Sequence, residues 1–145
     1  MDPSNQTNEL LNEICKNAAM GAGTVTHLLE GKRSRAMSET LAKQKAEYSA
    51  ILRQAEQSLR ERGERPAGLS PAEKMRTDVG VTLNTLFDRS DSNVAKLLMN
   101  GSTMGVVNAG KSLSKYPDAD PAARALMQRL SAFEEATIDV MKPFL

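Results

Sequence analysis

The sequence is poor in the residues on which metal, redox and membrane sites depend. Among its 145 residues there is no tryptophan, one histidine (His27) and one cysteine (Cys15). A single histidine excludes a site that needs two imidazoles from one chain, and a single cysteine cannot close an internal disulfide. No uninterrupted apolar run exceeds three residues, whereas a membrane-spanning helix needs about 20. These absences exclude an integral membrane protein and a small scaffold held together by disulfides.

The chain also lacks an excess of charge of either sign. Nineteen Lys and Arg residues face eighteen Asp and Glu residues, so the formal net charge is +1. This balance argues against nucleic acid as a partner, because binding to a phosphate backbone relies on an excess of positive charge. The first ten residues lack the basic and apolar regions of a signal peptide. We therefore expect a cytoplasmic protein with no nucleic-acid or membrane partner.

What the sequence does contain is helical periodicity. Aromatic residues make up only 3% of the chain, which leaves little from which to build strands, while apolar residues recur at steps of three and four. The fold class predicted is all-α, a single bundle domain over 1–145 with an N-terminal tail at 1–6. Glycine and proline mark the main inter-hairpin linker at 63–70. Five helices are predicted: 7–30, 34–62, 71–87, 93–115 and 121–144.

The four long helices are predicted to form two hairpins, because short connections fold consecutive helices back on each other. The second helix has the clearest apolar stripe: Met37, Leu41, Gln44, Tyr48, Ile51, Ala55 and Leu59. On the last helix the spacing selects Leu126, Leu130, Phe133, Thr137, Val140 and Phe144. Polar residues in or beside these stripes are expected either to fix the bundle register or to line a small-molecule pocket. They are Gln44, Tyr48, Gln128 and Thr137.

An internal similarity relates the two predicted hairpins. The residues it matches stand 84 positions apart: Met20 and Met104, Gly21 and Gly105, Gln44 and Gln128. This offset suggests a pseudo-twofold axis between the hairpins. The segments 18–24 and 100–110 are rich in small residues, although glycine inside a helix costs about 1 kcal/mol relative to alanine. We expect these small residues either to let two helices pack closely or to line a cavity.

Two hairpins joined by a long crossover segment are the layout of ferritin-like four-helix bundles. Three strings of this chain are similar to an uncharacterised bacterial family of small ferritin-like proteins: 17–29 (NAAMGAGTVTHLL), 101–107 (GSTMGVV) and 115–120 (KYPDAD). The resemblance implies a ferritin-like fold with 71–87 as an extra crossover helix between the hairpins.

Metal-binding members of the wider ferritin-like superfamily carry a Glu on each of two helices and a Glu-x-x-His on each of the other two. This chain departs from that pattern. The strings beginning at Glu47 (EYSA) and Glu134 (EEAT) have no histidine, and methionine and glycine stand in the middle of the other two helices. We therefore predict no cofactor and no di-metal centre. The alternative is an atypical carboxylate metal site containing Glu47 and Glu134, in a redox or storage protein.

One string matches a phosphate-binding motif. Residues 105–112 (GVVNAGKS) fit G-x-x-x-x-G-K-[ST], in which a loop of backbone amides between a strand and a helix cradles phosphates. The preceding segment has a helical pattern and no strand is predicted, so we expect a helix here. The alternative is nucleotide binding through Lys111 and Ser112.

The sequence shows no combination of side chains typical of catalysis. His27 has only Glu30 nearby, and Cys15 lies beside the apolar stripe with no activating base. We therefore predict a protein that is not an enzyme and that has a structural or protein-interaction role. The expected partner is another protein or a second copy of the chain, as in a homodimer.

Overall fold

The computed structural model describes residues 1–66 and 90–145, and all regular structure in these ranges is helical. The helices are α1 (Pro3–Leu29), α2 (Arg35–Glu61), α3 (Asp91–Lys115) and α4 (Pro121–Met141), followed by a 3₁₀ turn at Lys142–Phe144. This architecture confirms the all-α prediction and the four long helices. The predicted helix 71–87 and most of the linker 63–70 lie outside the described residues.

The N-terminal tail predicted at 1–6 is wrong, because α1 begins at Pro3. The backbone N–H of Asn5 donates to Asp2 Oδ1 at 2.8 Å, so the Asp2 side chain satisfies one of the first free amides of the helix. Pro3 occupies the first turn, where a missing N–H costs nothing. An aspartate followed by proline is therefore the helix start that the sequence analysis passed over.

The two short connections follow the predicted signals. Ser34 caps α2 by accepting from the backbone N–H of Met37 at 3.1 Å. Helix α3 ends at Lys115, just before Tyr116 and Pro117, because the residue before a proline is disfavoured in α conformation. Each connection is short, so α1 packs on α2 and α3 packs on α4 as two hairpins.

Hydrogen bonds between the hairpins show which helix ends lie together. The backbone N–H groups of Asp118 and Asp120, in the α3–α4 connection, donate to Gln6 Oε1 at 2.9 Å and to Thr7 Oγ1 at 2.8 Å. Arg62, just after α2, donates to Asn8 Oδ1 at 2.6 Å. The start of α1, the end of α2 and the α3–α4 connection therefore share one end of the bundle. It follows that α3 begins at the opposite end from the one at which α2 ends.

The buried positions repeat between the hairpins. An offset of 84 carries six of the seven buried residues between Leu10 and Leu28 of α1 onto buried residues of α3. The exception is Cys15, whose counterpart Met99 is partly buried. An offset of 86 does the same between α2 and α4, from Met37 and Ala123 to Ala55 and Met141. The internal pseudo-twofold relation is thus present in the packing of the described helices. The single offset predicted from the sequence is right for the first pair of helices and wrong by two residues for the second.

The difference of two residues between these offsets accompanies the wrong core predictions on α4. Tyr48 corresponds to Glu134 rather than to residue 132, and Glu134 is only 4% exposed. The predicted core residues Phe133 and Val140 lie at the edge of the stripe, half-buried and 45% exposed respectively. Glu134 and Met141, one residue further along, take the buried positions. The stripe of seven residues predicted on α2 is buried in full.

Across the described ranges, no helix combines the length and apolar character that crossing a membrane requires.

Candidate functional site

A pocket of about 350 Å³ opens between the middle of α1 and the middle of α3. Its floor is formed by one side chain from each of the other two helices, Tyr48 of α2 and Glu134 of α4. All four helices therefore contribute to one site at the centre of the bundle. The small-residue segments predicted either to pack together or to line a cavity do line one.

The floor of the pocket is a hydrogen-bonded cluster of three side chains. The Tyr48 hydroxyl donates to the Glu134 carboxylate, at 2.8 Å from Oε1 and 2.9 Å from Oε2. Ser102 of α3 bonds to the same carboxylate. All three residues are buried. The Tyr48 ring also makes an edge-to-face contact with Phe133, with ring centroids 4.9 Å apart. These contacts fix the tyrosine hydroxyl over the carboxylate.

Burial dominates the ionisation of this cluster. Loss of hydration raises the pKa of the Glu134 carboxyl, and the hydrogen bonds from Ser102 and Tyr48 oppose that rise only in part. The pKa of Tyr48 is raised as well, by burial and by the adjacent carboxylate. Tyr48 thus stays a proton donor, and Glu134 is a carboxyl group that is costly to ionise inside the protein.

Two glycines make room for the cluster. A Cβ atom on Gly21 would lie 2.5 Å from Cζ of Tyr48, and one on Gly105 would lie 2.8 Å from the carboxyl carbon of Glu134. The first helix of each hairpin therefore approaches a large side chain of the second helix at a glycine, where an added Cβ would require Tyr48 or Glu134 to move. By contrast, nothing lies within 4 Å of a Cβ built on Gly101, which faces open space at the pocket.

The pocket walls are mainly apolar. Val25, Leu97 and Leu98 line them, and the partly exposed Met20 and Met104 stand at the rim. Polar groups are few, as in most small-molecule sites. One of them is unsatisfied, because Nδ2 of the pocket-lining Asn17 is buried without a hydrogen-bond partner among the described residues.

The other predicted polar residues are only partly brought together. Gln44 Nε2 donates to Thr137 Oγ1 at 3.5 Å, and both residues are buried. Gln44 Oε1 is buried without a partner in the described part of the chain. Gln128 is exposed and does not line the pocket, so the expectation that it fixes the register or lines a pocket is wrong. Because the offset between α2 and α4 is 86, the buried counterpart of Gln44 is Leu130.

The two glutamates proposed as alternative metal ligands do not converge. The Glu47 carboxylate accepts from the Arg129 guanidinium, and both side chains are partly exposed. Glu134 instead bonds to Tyr48 and Ser102 in the interior. Adjacent residues of a helix point about 100° apart, so Glu47 faces away from the position that Tyr48 occupies. Residues 1–66 and 90–145 contain no group of three or more His, Cys, Asp or Glu side chains able to hold a metal ion.

The segment 105–112 is not a phosphate loop, because it lies entirely within α3. In a helix the backbone amides bond to carbonyl groups four residues earlier, so they cannot also cradle a phosphate. Ser112 is buried, and Lys111 is exposed on the other side of the helix. The alternative of nucleotide binding through these two residues therefore lacks the loop that it requires.

The single histidine and the single cysteine lie outside this site. His27 Nδ1 is 3.4 Å from the Glu30 carboxylate near the end of α1. Cys15 is buried, and loss of hydration raises the pKa of its thiol to about 12. A thiol with this pKa carries almost no thiolate at neutral pH, so it is a packing residue and not a nucleophile.

The roles of two site residues, Ser102 and Glu134, were not predicted from the sequence. Ser102 received no role, and Glu134 was considered only as a metal ligand. A signal for Glu134 does exist, because it stands four residues after Leu130 and three before Thr137, within the helical spacing of the core.

No protein-family model, curated protein or solved structure matches this chain.

Proposed function

We propose that this chain is a ferritin-like bundle with a non-catalytic, structural or protein-interaction role. The observation that carries the proposal is the direct hydrogen bond between Tyr48 and Glu134 at the centre of the four helices. In the metal-binding members of the ferritin-like superfamily, side chains from all four helices converge on metal ions at the bundle core. Here the corresponding side chains bond to each other.

The order of the helix ends supports the ferritin-like layout. Helix α2 ends beside the start of α1, where Arg62 donates to Asn8. The α3–α4 connection lies at that same end, where Asp120 donates to Thr7. Helix α3 therefore starts at the opposite end of the bundle from the end of α2. A long crossover between two hairpins is the connection that distinguishes ferritin-like bundles from simple up-and-down ones.

The donor set does not fit the metal pair that the superfamily would imply. Where α1 and α3 should each offer a carboxylate, Gly21 and Gly105 leave no room even for a Cβ atom. In the described part of the chain, Glu134 is the one carboxylate that lines the pocket, and no histidine lines it, so the several carboxylates and imidazoles that hold a metal pair are missing there. A neutral tyrosine with a raised pKa is a poor metal ligand, because it must lose its proton to bind.

We predict that the purified chain binds neither iron nor manganese stoichiometrically. The full chain, without a metal-binding tag, is titrated with Fe(II) and with Mn(II), and bound metal is measured by elemental mass spectrometry after desalting. Glu134→Gln serves as the matched variant, because it keeps the shape of the side chain but removes the charge. Two metal ions per chain in the wild type, lost in this variant, would contradict the proposal.

Exposed apolar side chains at the rim support the interaction role. Met20 and Met104, which line the pocket between α1 and α3, are 45% and 58% exposed, and Val107, three residues after Met104, is 43% exposed. Methionine adapts its shape to a partner and is favoured at protein contact surfaces. Because the pseudo-twofold relation pairs Met20 with Met104, the rim resembles itself after rotation. Such a surface suits a second copy of the chain.

We therefore expect the wild-type chain to sediment as a dimer and the double variant Met20→Gln/Met104→Gln to sediment as a monomer. Glutamine keeps the length of both side chains but removes the apolar contact. Sedimentation velocity over a range of concentrations measures both masses, and Val140→Gln, an exposed apolar residue on α4, is the control. A wild-type chain that stays monomeric at all concentrations would rule out self-association through the rim.

A further inference from the structure

The geometry points to a second function, the binding of a small primary amine with an apolar body in the pocket between α1 and α3. The ammonium group would contact the Glu134 carboxylate, and the hydrocarbon part would lie against the apolar walls. This inference goes beyond the proposed function. Because Met20 and Met104 stand at the mouth of the pocket, a second copy seated on the rim would cover it, so the ligand and the second copy are expected to compete.

The size and lining of the pocket suit a small organic molecule. Its volume of about 350 Å³ is at the lower end of the roughly 300–1,000 Å³ typical of ligand sites. Leu97, Leu98 and Val25 provide apolar walls. The opening is kept clear at Gly101, where a Cβ atom would have no neighbour within 4 Å.

The charge at the floor selects the class of ligand. Tyr48 offers its hydroxyl proton to the Glu134 carboxylate, and the Ser102 hydroxyl lies within hydrogen-bonding reach of both residues. A carboxylate has about four lone-pair positions, so acceptor capacity remains. None of the ion pairs found in the described ranges includes Glu134. Of the side chains that line the pocket, Glu134 and Tyr48 alone are titratable, and neither is a cation.

A buried carboxylate without a cation is unfavourable, and a ligand that brings the cation relieves this cost. An alkylammonium ion, like a lysine side chain, is charged at neutral pH. A neutral alcohol of the same length would gain the apolar contacts but would not neutralise the carboxylate.

The test compares n-hexylamine with 1-hexanol by isothermal titration calorimetry on the full chain at pH 7. Four proteins are used: the wild type, Glu134→Gln, Gly101→Leu and Gly110→Leu. Gly110 is the control for Gly101, because both are exposed glycines of α3 with no neighbour within 4 Å of a built Cβ, but only Gly101 lines the pocket. Melting curves of all four establish that each variant is folded.

We expect the wild type and Gly110→Leu to bind the amine at least about tenfold more tightly than the alcohol, as for a hydrogen bond to a charged group. Glu134→Gln should lose this preference, and Gly101→Leu should weaken binding of both molecules. The inference is overturned if the wild type binds neither molecule, binds both equally or keeps its preference in Glu134→Gln. Equal binding by Gly101→Leu and Gly110→Leu also overturns it, because the ligand would then lie elsewhere. The metal titration tests the proposed function separately, so the two can fail independently.

Discussion

Replacing Gly21 by alanine is expected to destabilise the fold by about 1–3 kcal/mol, the usual cost of adding a methyl group to a tightly packed site. The added Cβ would lie 2.5 Å from Cζ and 2.7 Å from Cδ1 of the Tyr48 ring. The ring cannot move away freely, because its hydroxyl bonds to Glu134 and its edge contacts Phe133. Urea denaturation followed by circular dichroism measures the free energy of unfolding.

The matched control for this change is Gly101→Ala on α3. Alanine is the better helix former by about 1 kcal/mol, and nothing lies within 4 Å of the new Cβ at Gly101. We expect Gly101→Ala to stabilise the protein, so the two substitutions should have opposite signs. Gly21→Ala combined with Tyr48→Leu should cost less than the sum of the two single changes, because the smaller side chain removes the clash. A Gly21→Ala protein as stable as Gly101→Ala would show that Tyr48 does not pack against α1 at this position.

The sequence predicted the parts of the fold that depend on local signals. The spacing of apolar residues identified every buried position of α2, and Ser34 and Pro117 marked helix boundaries correctly. The start of α1 at Pro3 was missed, although Asp2 is a good N-cap, because no apolar stripe had yet begun. The spacing of apolar residues thus predicted that each helix is present, whereas the exact helix ends depended on the capping residues.

The site was harder to predict because it depends on contacts between distant parts of the chain. Tyr48 was a candidate from its place in the stripe of α2, but its partner Glu134 lies 86 positions later and is a residue type that is usually exposed. The single offset of 84 pairs Gln44 with Gln128, which is exposed, and it pairs Tyr48 with residue 132. It therefore does not indicate Glu134 as the partner of Tyr48. The register of one hairpin against the other is set by three-dimensional packing, and one sequence alone carries little information about it.

The stability of the protein is expected to fall as the pH rises above the ordinary glutamate pKa of 4.5, because of Glu134. Burial raises the pKa of this carboxyl in the folded state above its ordinary value of 4.5. Between these two pKa values the folded protein holds a proton that the unfolded chain has released. The free energy of unfolding therefore decreases with rising pH in this window.

The Glu134→Gln variant should lack this slope, because its amide does not titrate. We expect it to be more stable than the wild type at pH 8 and about equally stable at pH 4, where Glu134 is protonated in both states. Tyr48 and Cys15 do not confuse the comparison, because burial raises their pKa values and both stay protonated over this range. Urea denaturation at four or more pH values gives the free energy of unfolding of both proteins. Taking the difference between the two values at each pH removes the contributions of groups that titrate in the same way in both proteins.

Tyr48→Phe is expected to make the pH dependence of stability steeper, whereas Glu134→Gln is expected to remove it. Together the two variants test whether this dependence comes from Glu134 and its hydrogen bond from Tyr48. Removing the hydroxyl takes away a donor to Glu134, and a hydrogen bond to a charged group contributes about 1.5–3 kcal/mol. The loss should grow as the pH rises and the carboxyl group ionises, and it should be smaller at pH 4, where the bond joins two neutral groups. If the wild type instead becomes more stable as the pH rises and Tyr48→Phe abolishes that gain, the hydroxyl groups outweigh burial. Glu134 would then be a stabilised carboxylate with a lowered pKa, already charged before any ligand binds.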